Sequence, residues 1–169
     1  MITIGIVGPE STGKTTLAKS LANHFQTEWV KEYAREYLTE LGRSYTQSDL
    51  VEIAKGQVAS ENRIKKKAKR LIFLDTDLLV IKIWSEFKYG SCDPWIEQQL
   101  AMNRADLYLL TDFDIPYEDD PLRESPNQRG ELFEIYKKTL IDSGSNFHVV
   151  KGDHSERLEE AIGYINLIL

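Results

Sequence analysis

Between a short β-branched run, Ile2–Val7, and a helical pattern that begins near Lys14, the chain reads GPESTGKT from Gly8 to Thr15. Glycine at the first and sixth positions, followed by lysine and a hydroxyl residue, is the phosphate-loop pattern, and it carries meaning only between a buried strand and a helix. Both flanks satisfy that condition: Ile2, Ile4, Ile6 and Val7 suit a strand, and Leu17, Ala18, Leu21, Ala22 and Phe25 recur at helical spacing. The glycines let consecutive N–H groups and a helix N-terminus point at phosphate oxygens. Lys14 is then expected to reach the outer phosphates and the Thr15 hydroxyl to hold Mg²⁺. Gly8, Glu10, Ser11, Thr12, Gly13, Lys14, Thr15 and Thr16 form the expected nucleotide-binding set, with a nucleoside triphosphate the expected ligand.

A strand fixed at the front end of a parallel sheet dictates what must follow. The pattern predicts a second strand over Thr27–Val30 and a helix through KEYAREYLTEL. A long helix from about Gln47 to Lys69 follows, capped by Thr46 or Ser48. LIFLD, four apolar residues ending in Asp75, reads as a strand buried on both faces. Helices follow at LLVIKIWSEF and after Pro94, a strand at Asp106–Thr111, a helix over Arg129–Asp142, a strand at FHVV and a last helix from Ser155. Alternation of this kind predicts an α/β three-layer sandwich with a mainly parallel five-stranded sheet, a single domain over 1–169. Residues about 114–129, within DFDIPYEDDPLRESPNQR, are too polar and proline-broken for core and read as a small lid.

At 169 residues with a formal net charge of −6, the chain is large enough for a core and too acidic for broad nucleic-acid binding. The basic run IKKKAKR, Ile64–Arg70, reads either as the solvated end of a helix or as a local nucleic-acid patch. One cysteine, Cys92, excludes an intrachain disulfide and thiolate zinc sites. MITIGIV lacks a charged leader region and is too short to span a membrane, so a cytoplasmic protein without membrane contact is expected.

Ligands of open parallel sheets bind beyond the carboxyl ends of the strands, which singles out Glu32, Asp75, Asp77, Thr111, Asp112 and Asp114. Asp75 is expected in the Mg²⁺ shell with Thr15. Asp77 reads equally as a helix cap or a substrate ligand. TDFD stands where a guanine-specific GTPase would carry N-K-x-D, and the chain is short for a motor. Arg123 and Arg129 in the lid instead suit a small kinase, where closure excludes water and brings cations to the transferring phosphoryl group. Glu32 is the expected base for the acceptor hydroxyl, with Asp75 the second choice. Arg35, one helical turn on, is expected to hold a phosphate or to pair with Glu32. Arg157, or the backbone after Lys151, is expected beside adenine.

The stretches GPESTGKTTLAKSLA, EYAREYLTELG, DLVEIAKGQ, FLDTDLLVIKIW, DPW and EDDPLRE, in this order, resemble the ribosylnicotinamide kinase (NadR-type) family of P-loop kinases. The resemblance covers nearly the whole chain. It implies a nucleoside/nucleotide kinase-like P-loop NTPase fold and transfer of a phosphoryl group from ATP to the 5′-hydroxyl of nicotinamide riboside, giving nicotinamide mononucleotide. The adenylyltransferase and DNA-binding functions of the bifunctional regulator are not expected of this unit. The small-molecule partner would be nicotinamide riboside or a similar nucleoside. A ring that carries a positive charge calls for aromatic faces and nearby carboxylates. Tyr89 and Tyr117 are the expected sandwich, with Arg35, Asp77 and Asp120 completing the substrate set. Another nucleoside as acceptor, or a regulatory module that binds NAD-related metabolites or a protein partner, are the alternatives.

Overall fold

The computed structural model describes residues 1–169. Its strands are β1 (Ile2–Val7), β2 (Trp29–Val30), β3 (Leu71–Asp75), β4 (Leu107–Thr111) and β5 (Phe147–Val150). Its helices are α1 (Lys14–His24), α2 (Tyr33–Glu40), α3 (Gln47–Lys65), α4 (Leu78–Tyr89), α5 (Pro94–Met102), α6 (Arg129–Asp142) and α7 (His154–Asn166). The five strands form one sheet, in the order β2-β3-β1-β4-β5, with every pair parallel. The α/β class and the parallel five-stranded sheet expected from the alternation are both present.

Period-two alternation sorts the strand side chains into two layers. Ile4, Ile6, Phe73, Leu107 and Leu109 face α1 and α7 and are almost wholly buried with Leu17, Leu21 and Ile165. Val7, Tyr108 and Leu110 face the other way, against Ile83 of α4 and Leu132, Phe133 and Tyr136 of α6. A third cluster, built on Leu50, Ile53, Leu78, Ile81 and Ile96, joins α2, α3, α4 and α5 into a buttress beside the sheet. Gly56 of α3 lets the ring of Tyr33 lie against the helix, since an added Cβ would sit 2.0 Å from that ring.

β2 and α3 fall short of the sequence expectation, as β4 does by one residue at Asp106. β2 has two residues rather than four because Thr27 is held elsewhere: its N–H donates to Ala22 O at 3.0 Å and its hydroxyl to Leu71 O at 2.5 Å. α3 stops at Lys65, four residues early, where Lys67 and Ala68 N–H groups both turn back onto Ile64 O. The lysines of the basic run thus follow a helix C-terminus, where cations suit the dipole. Thr46, not Ser48, caps α3. The Asp49 carboxylate accepts the Thr46 N–H at 2.7 Å, and Arg43 and Tyr37 complete its partners, holding its pKa well below the usual carboxylate range.

One buried group on α3 opposes stability. Glu61 is 4% exposed, and its Oε1 has no hydrogen-bond partner; Oε2 lies 3.4 Å from Lys65. Burial, reinforced by the nearby Asp77 charge, pushes its pKa up to about 7. A carboxyl whose pKa is raised in the folded state binds more protons there than in the unfolded chain, so its penalty is absent below the unfolded value, grows as pH rises, and is complete above 7. Glu61→Gln is expected to stabilise the protein by roughly 1–3 kcal/mol at pH 8, a tenfold change in proton affinity being worth about 1.36 kcal/mol. Thermal melts at pH 8 and pH 4 check this: the gain should vanish at the lower pH, and a gain equal at both would rule out ionisation as its cause.

Candidate functional site

The loop after β1 is shaped by what it packs on. Gly8 adopts φ +140, and a Cβ there would lie 2.5 Å from Thr111 Oγ1 and 2.8 Å from Thr111 O. Thr12 is buried beneath the loop, its hydroxyl donating to Pro9 O at 2.7 Å and meeting Thr111 Oγ1 at 2.6 Å. The Thr12 side chain is therefore a strut, and only its main chain is left to face a ligand. Gly13, at φ +77, delivers the chain into α1. Lys14 folds back over the loop, with Nζ 3.1 Å from Gly8 O and 2.6 Å from Pro9 O. Burial holds its pKa below the ordinary lysine value, against the opposing pull of Glu32, Asp75 and Glu10. An ammonium bonded to neutral carbonyls in a desolvated loop gains most from a phosphate anion.

Asp75 ends β3 beside β1, in register with Ile6, and accepts the Thr15 hydroxyl at 2.6 Å. Burial pushes its pKa up to about 6, with Glu32 adding to the rise and Thr15 and Lys14 opposing it. Two oxygen donors at the mouth of a phosphate loop suit Mg²⁺, which keeps waters and phosphate oxygens in its shell. No group of three or more histidine, cysteine or carboxylate ligands converges anywhere, so the donor set fits that ion and not a caged metal.

Glu32 precedes α2, at φ −60 and ψ 108, and makes no capping hydrogen bond. It lines the same cavity of about 740 Å³ as Lys14, Thr15 and Asp75. Arg35 does not pair with it. The guanidinium bonds Asp120 of the 112–128 segment at 2.9 Å, which ties α2 to that segment and leaves Glu32 free. Asp77 is the N-cap of α4, accepting the Leu79 N–H at 3.0 Å, and does not reach the cavity; the cap reading holds for its side chain.

Residues 112–128 contain neither helix nor strand and sit docked on the phosphate loop. Ser11 Oγ accepts the Glu118 N–H at 2.8 Å and lies 3.2 Å from Arg123 Nη1. Arg129 donates to Ser11 O and Ile115 O, both at 3.0 Å, and the Glu10 carboxylate accepts the N–H groups of Glu124 and Ser125. Arg123 thus lines the cavity over the loop, whereas Arg129, bonded to main-chain carbonyls, and Asp120 do not line it. Tyr117 packs under the two arginines, 6.0 Å and 5.5 Å from their guanidinium carbons, and does not line the cavity. Tyr89 packs in the α2–α5 buttress. The expected tyrosine sandwich is not formed; Trp84 and Phe87 of α4 supply the aromatic wall instead. Arg157 is 3% exposed and spends its guanidinium on Thr12 O at 2.6 Å, Asp112 O at 3.0 Å and the Asp114 carboxylate. It braces the loop from beneath while still lining the cavity. Thr16 sits exposed in the first turn of α1.

Sequence reasoning missed Gln57. It is buried on α3, where its side-chain amide donates to Thr76 O at 3.2 Å and accepts the Tyr33 N–H at 3.0 Å. It therefore fixes the ends of β3 and the start of α2 relative to each other, setting Asp75 against Glu32. Thr76 holds φ +65, a conformation that costs a non-glycine residue roughly 1–3 kcal/mol. A glutamine within the apolar periodicity Leu50, Ile53, Ala54 was the one available signal. No helix is long and apolar enough to cross a membrane.

A model of the AAA domain family matches residues 3–157. The Trifunctional NAD biosynthesis/regulator protein NadR of Salmonella typhimurium is 30% identical over 162 residues, 92% of this chain. The match spans only 40% of that relative's length. The structure is similar to the NadR protein solved in complex with NR, at TM-score 0.79 and 25% identity over 97% of this chain and 50% of that one. The NadR protein in complex with NAD and AMP-PNP gives 0.78 and 24%, over 97% of this chain and 48% of that one. A thymidylate kinase from Ehrlichia chaffeensis, 14% identical at TM-score 0.74 over 97% of this chain and 98% of its own, shares the fold.

Proposed function

The chain belongs to the AAA domain family, and from that premise we propose that it is an ATP-dependent kinase acting on the 5′-hydroxyl of nicotinamide riboside. One observation carries the reading: a single cavity joins the phosphate loop and Asp75 to Glu32, a carboxylate left without a cap bond or ion pair. A nucleotide-binding regulator has no use for a free acid there. The likeness to NadR, solved with NR and with AMP-PNP, supports both the acceptor and the nucleotide.

In the proposed reaction the acceptor oxygen attacks the γ-phosphorus in line. A new O–P bond forms, the bond to the β,γ-bridging oxygen breaks, and ADP leaves with the bond electrons. Glu32 takes the hydroxyl proton. Thr15 and Asp75 would hold Mg²⁺, which when bound neutralises charge on the phosphates. Lys14 and the lid residue Arg123, both lining the cavity, meet the equatorial oxygens, where charge accumulates in the transition state, and Arg129 holds the lid on the loop through Ser11 O. Trp84 and Phe87 offer apolar faces for the ring, and Asp120, fixed by Arg35, adds negative charge at the lid.

Purified protein with Mg·ATP and a panel of nucleosides, read by mass spectrometry, tests the assignment. Nicotinamide mononucleotide as the dominant product is expected. Faster turnover of thymidine or uridine would keep the kinase and discard the acceptor; no product from any nucleoside would discard both. Arg123→Ala should lower kcat by about 10- to 1,000-fold while changing ATP affinity less, because a transition-state contact is lost rather than uniform binding, and Arg129→Ala should act in the same direction by loosening the lid from Ser11 O. Steady-state kinetics with ATP as the varied substrate measures the split, and a rise in the ATP KM alone would reduce Arg123 to a nucleotide ligand.

A further inference from the structure

One lid residue touches both ends of the cavity. By its main chain, Glu124 hangs from the phosphate loop: its N–H lies 3.1 Å from both Glu10 carboxylate oxygens, and Ser125 N–H joins it. Its side chain runs the opposite way. Glu124 Oε2 accepts the Tyr45 hydroxyl at 2.6 Å, and both carboxylate oxygens lie 3.1 Å from Lys88 Nζ. The Tyr45 oxygen in turn accepts Trp84 Nε1–H at 3.0 Å and Lys88 Nζ at 2.5 Å, so its proton and both lone pairs are used. The Tyr45 and Trp84 rings meet edge to face with centroids 5.0 Å apart. An unbroken set of hydrogen bonds therefore runs from Glu10 in the phosphate loop, through Glu124, to the Trp84 wall on α4.

We propose that Glu124 is a positioning residue that couples nucleotide and acceptor binding, by fixing the Tyr45–Trp84 wall when the lid is seated on the phosphate loop. The inference rests on the kinase reading above. Lys88 and Glu124 are partly exposed, and such ion pairs add little to stability. The hydroxyl-to-carboxylate bond of Tyr45 is charge-assisted and joins two segments 79 residues apart. Residue 124 also neutralises Lys88, which lines the cavity and would otherwise face a cationic ring. Coupling of this kind is reciprocal: whatever nucleotide gives to acceptor affinity, acceptor gives to nucleotide affinity.

Hydrogen–deuterium exchange on the full chain, with and without Mg·AMP-PNP, tests the link without any turnover. In the wild type, AMP-PNP should slow exchange both in the lid, residues 118–125, and in the Tyr45 loop, residues 42–46. Glu124→Ala should keep the first protection and lose the second, and Tyr45→Phe should reproduce that loss. Calorimetric titration of nicotinamide riboside should show affinity rising about 5- to 30-fold with AMP-PNP in the wild type, and less than twofold in Glu124→Ala. Loop protection that survives in both variants overturns the proposal. Wild type that binds AMP-PNP with no protection of the Tyr45 loop overturns it also. Wild type that binds no AMP-PNP overturns the kinase reading and the coupling together, and this is read before any variant is made.

Discussion

Lys14→Ala is expected to leave the fold intact and to lower phosphoryl transfer by roughly 10²–10³-fold, the range seen when one preorganised charge-stabilising donor is removed. The side chain packs against no apolar core; its only bonds are to Gly8 O and Pro9 O on the rim of the cavity. The loop itself is held by other groups, the Thr12 hydroxyl beneath it and the Arg157 guanidinium bonded to Thr12 O. Removing the ammonium therefore costs the loop little, and the melting temperature should stay within about 4 °C of the wild type, about 1 kcal/mol for a domain of this size. Steady-state kinetics alongside a thermal melt measures both. Turnover near the wild-type value with an unchanged melt would mean that the phosphates are stabilised elsewhere and would remove the proposed mechanism.

The second large effect separates the two carboxylates. Glu32→Gln should reduce kcat by about 10²–10⁴-fold with little change in ATP affinity, because the amide keeps the shape and loses the proton acceptor. Asp75→Asn should act through the ion instead. Asp75 bonds the Thr15 hydroxyl and is buried, so its loss should raise the Mg²⁺ concentration for half-maximal rate by about 10- to 100-fold, as for other residues that support a metal from its outer shell. Rates measured across a Mg²⁺ titration distinguish them: excess Mg²⁺ should rescue Asp75→Asn substantially and Glu32→Gln not at all. The reverse pattern would exchange their roles.

Local chemistry explains how much of the architecture was legible. Val7 to Lys14 is a continuous segment whose strand, glycines and helix start are all written in neighbouring residues. β1, α6 and β5 begin and end where the pattern put them, and α1 begins there. β3 was equally plain, since a run of apolar residues ending in an acid has one economical home in a parallel sheet. The misjudged ends follow single backbone bonds that the pattern does not show: the Thr27 N–H is taken back by Ala22 O after α1, and the Lys67 and Ala68 N–H groups by Ile64 O.

The same division runs through the site. The sequence by itself determined the phosphate loop, the acid at the end of β3 and the absence of helix or strand from the charged, proline-broken segment 112–128, because each is encoded within a few consecutive residues and enforced by backbone geometry. Tertiary structure alone decided which side chains meet. Arg35 lies one turn from Glu32, yet bonds Asp120, 85 residues away, and that choice leaves Glu32 free. Tyr89 and Tyr117 had the right chemistry for a cationic ring, but the packing of α4 turned Trp84 and Phe87 to the cavity instead. Gln57 and Glu124 acquire meaning only from residues 19 and 114 positions distant, Thr76 and Glu10. The physical reason is one of range. Propensity, capping and glycine geometry act over a turn or a few residues. A side chain's partner is chosen by the whole packed arrangement of helices around the sheet, which no local window of sequence contains.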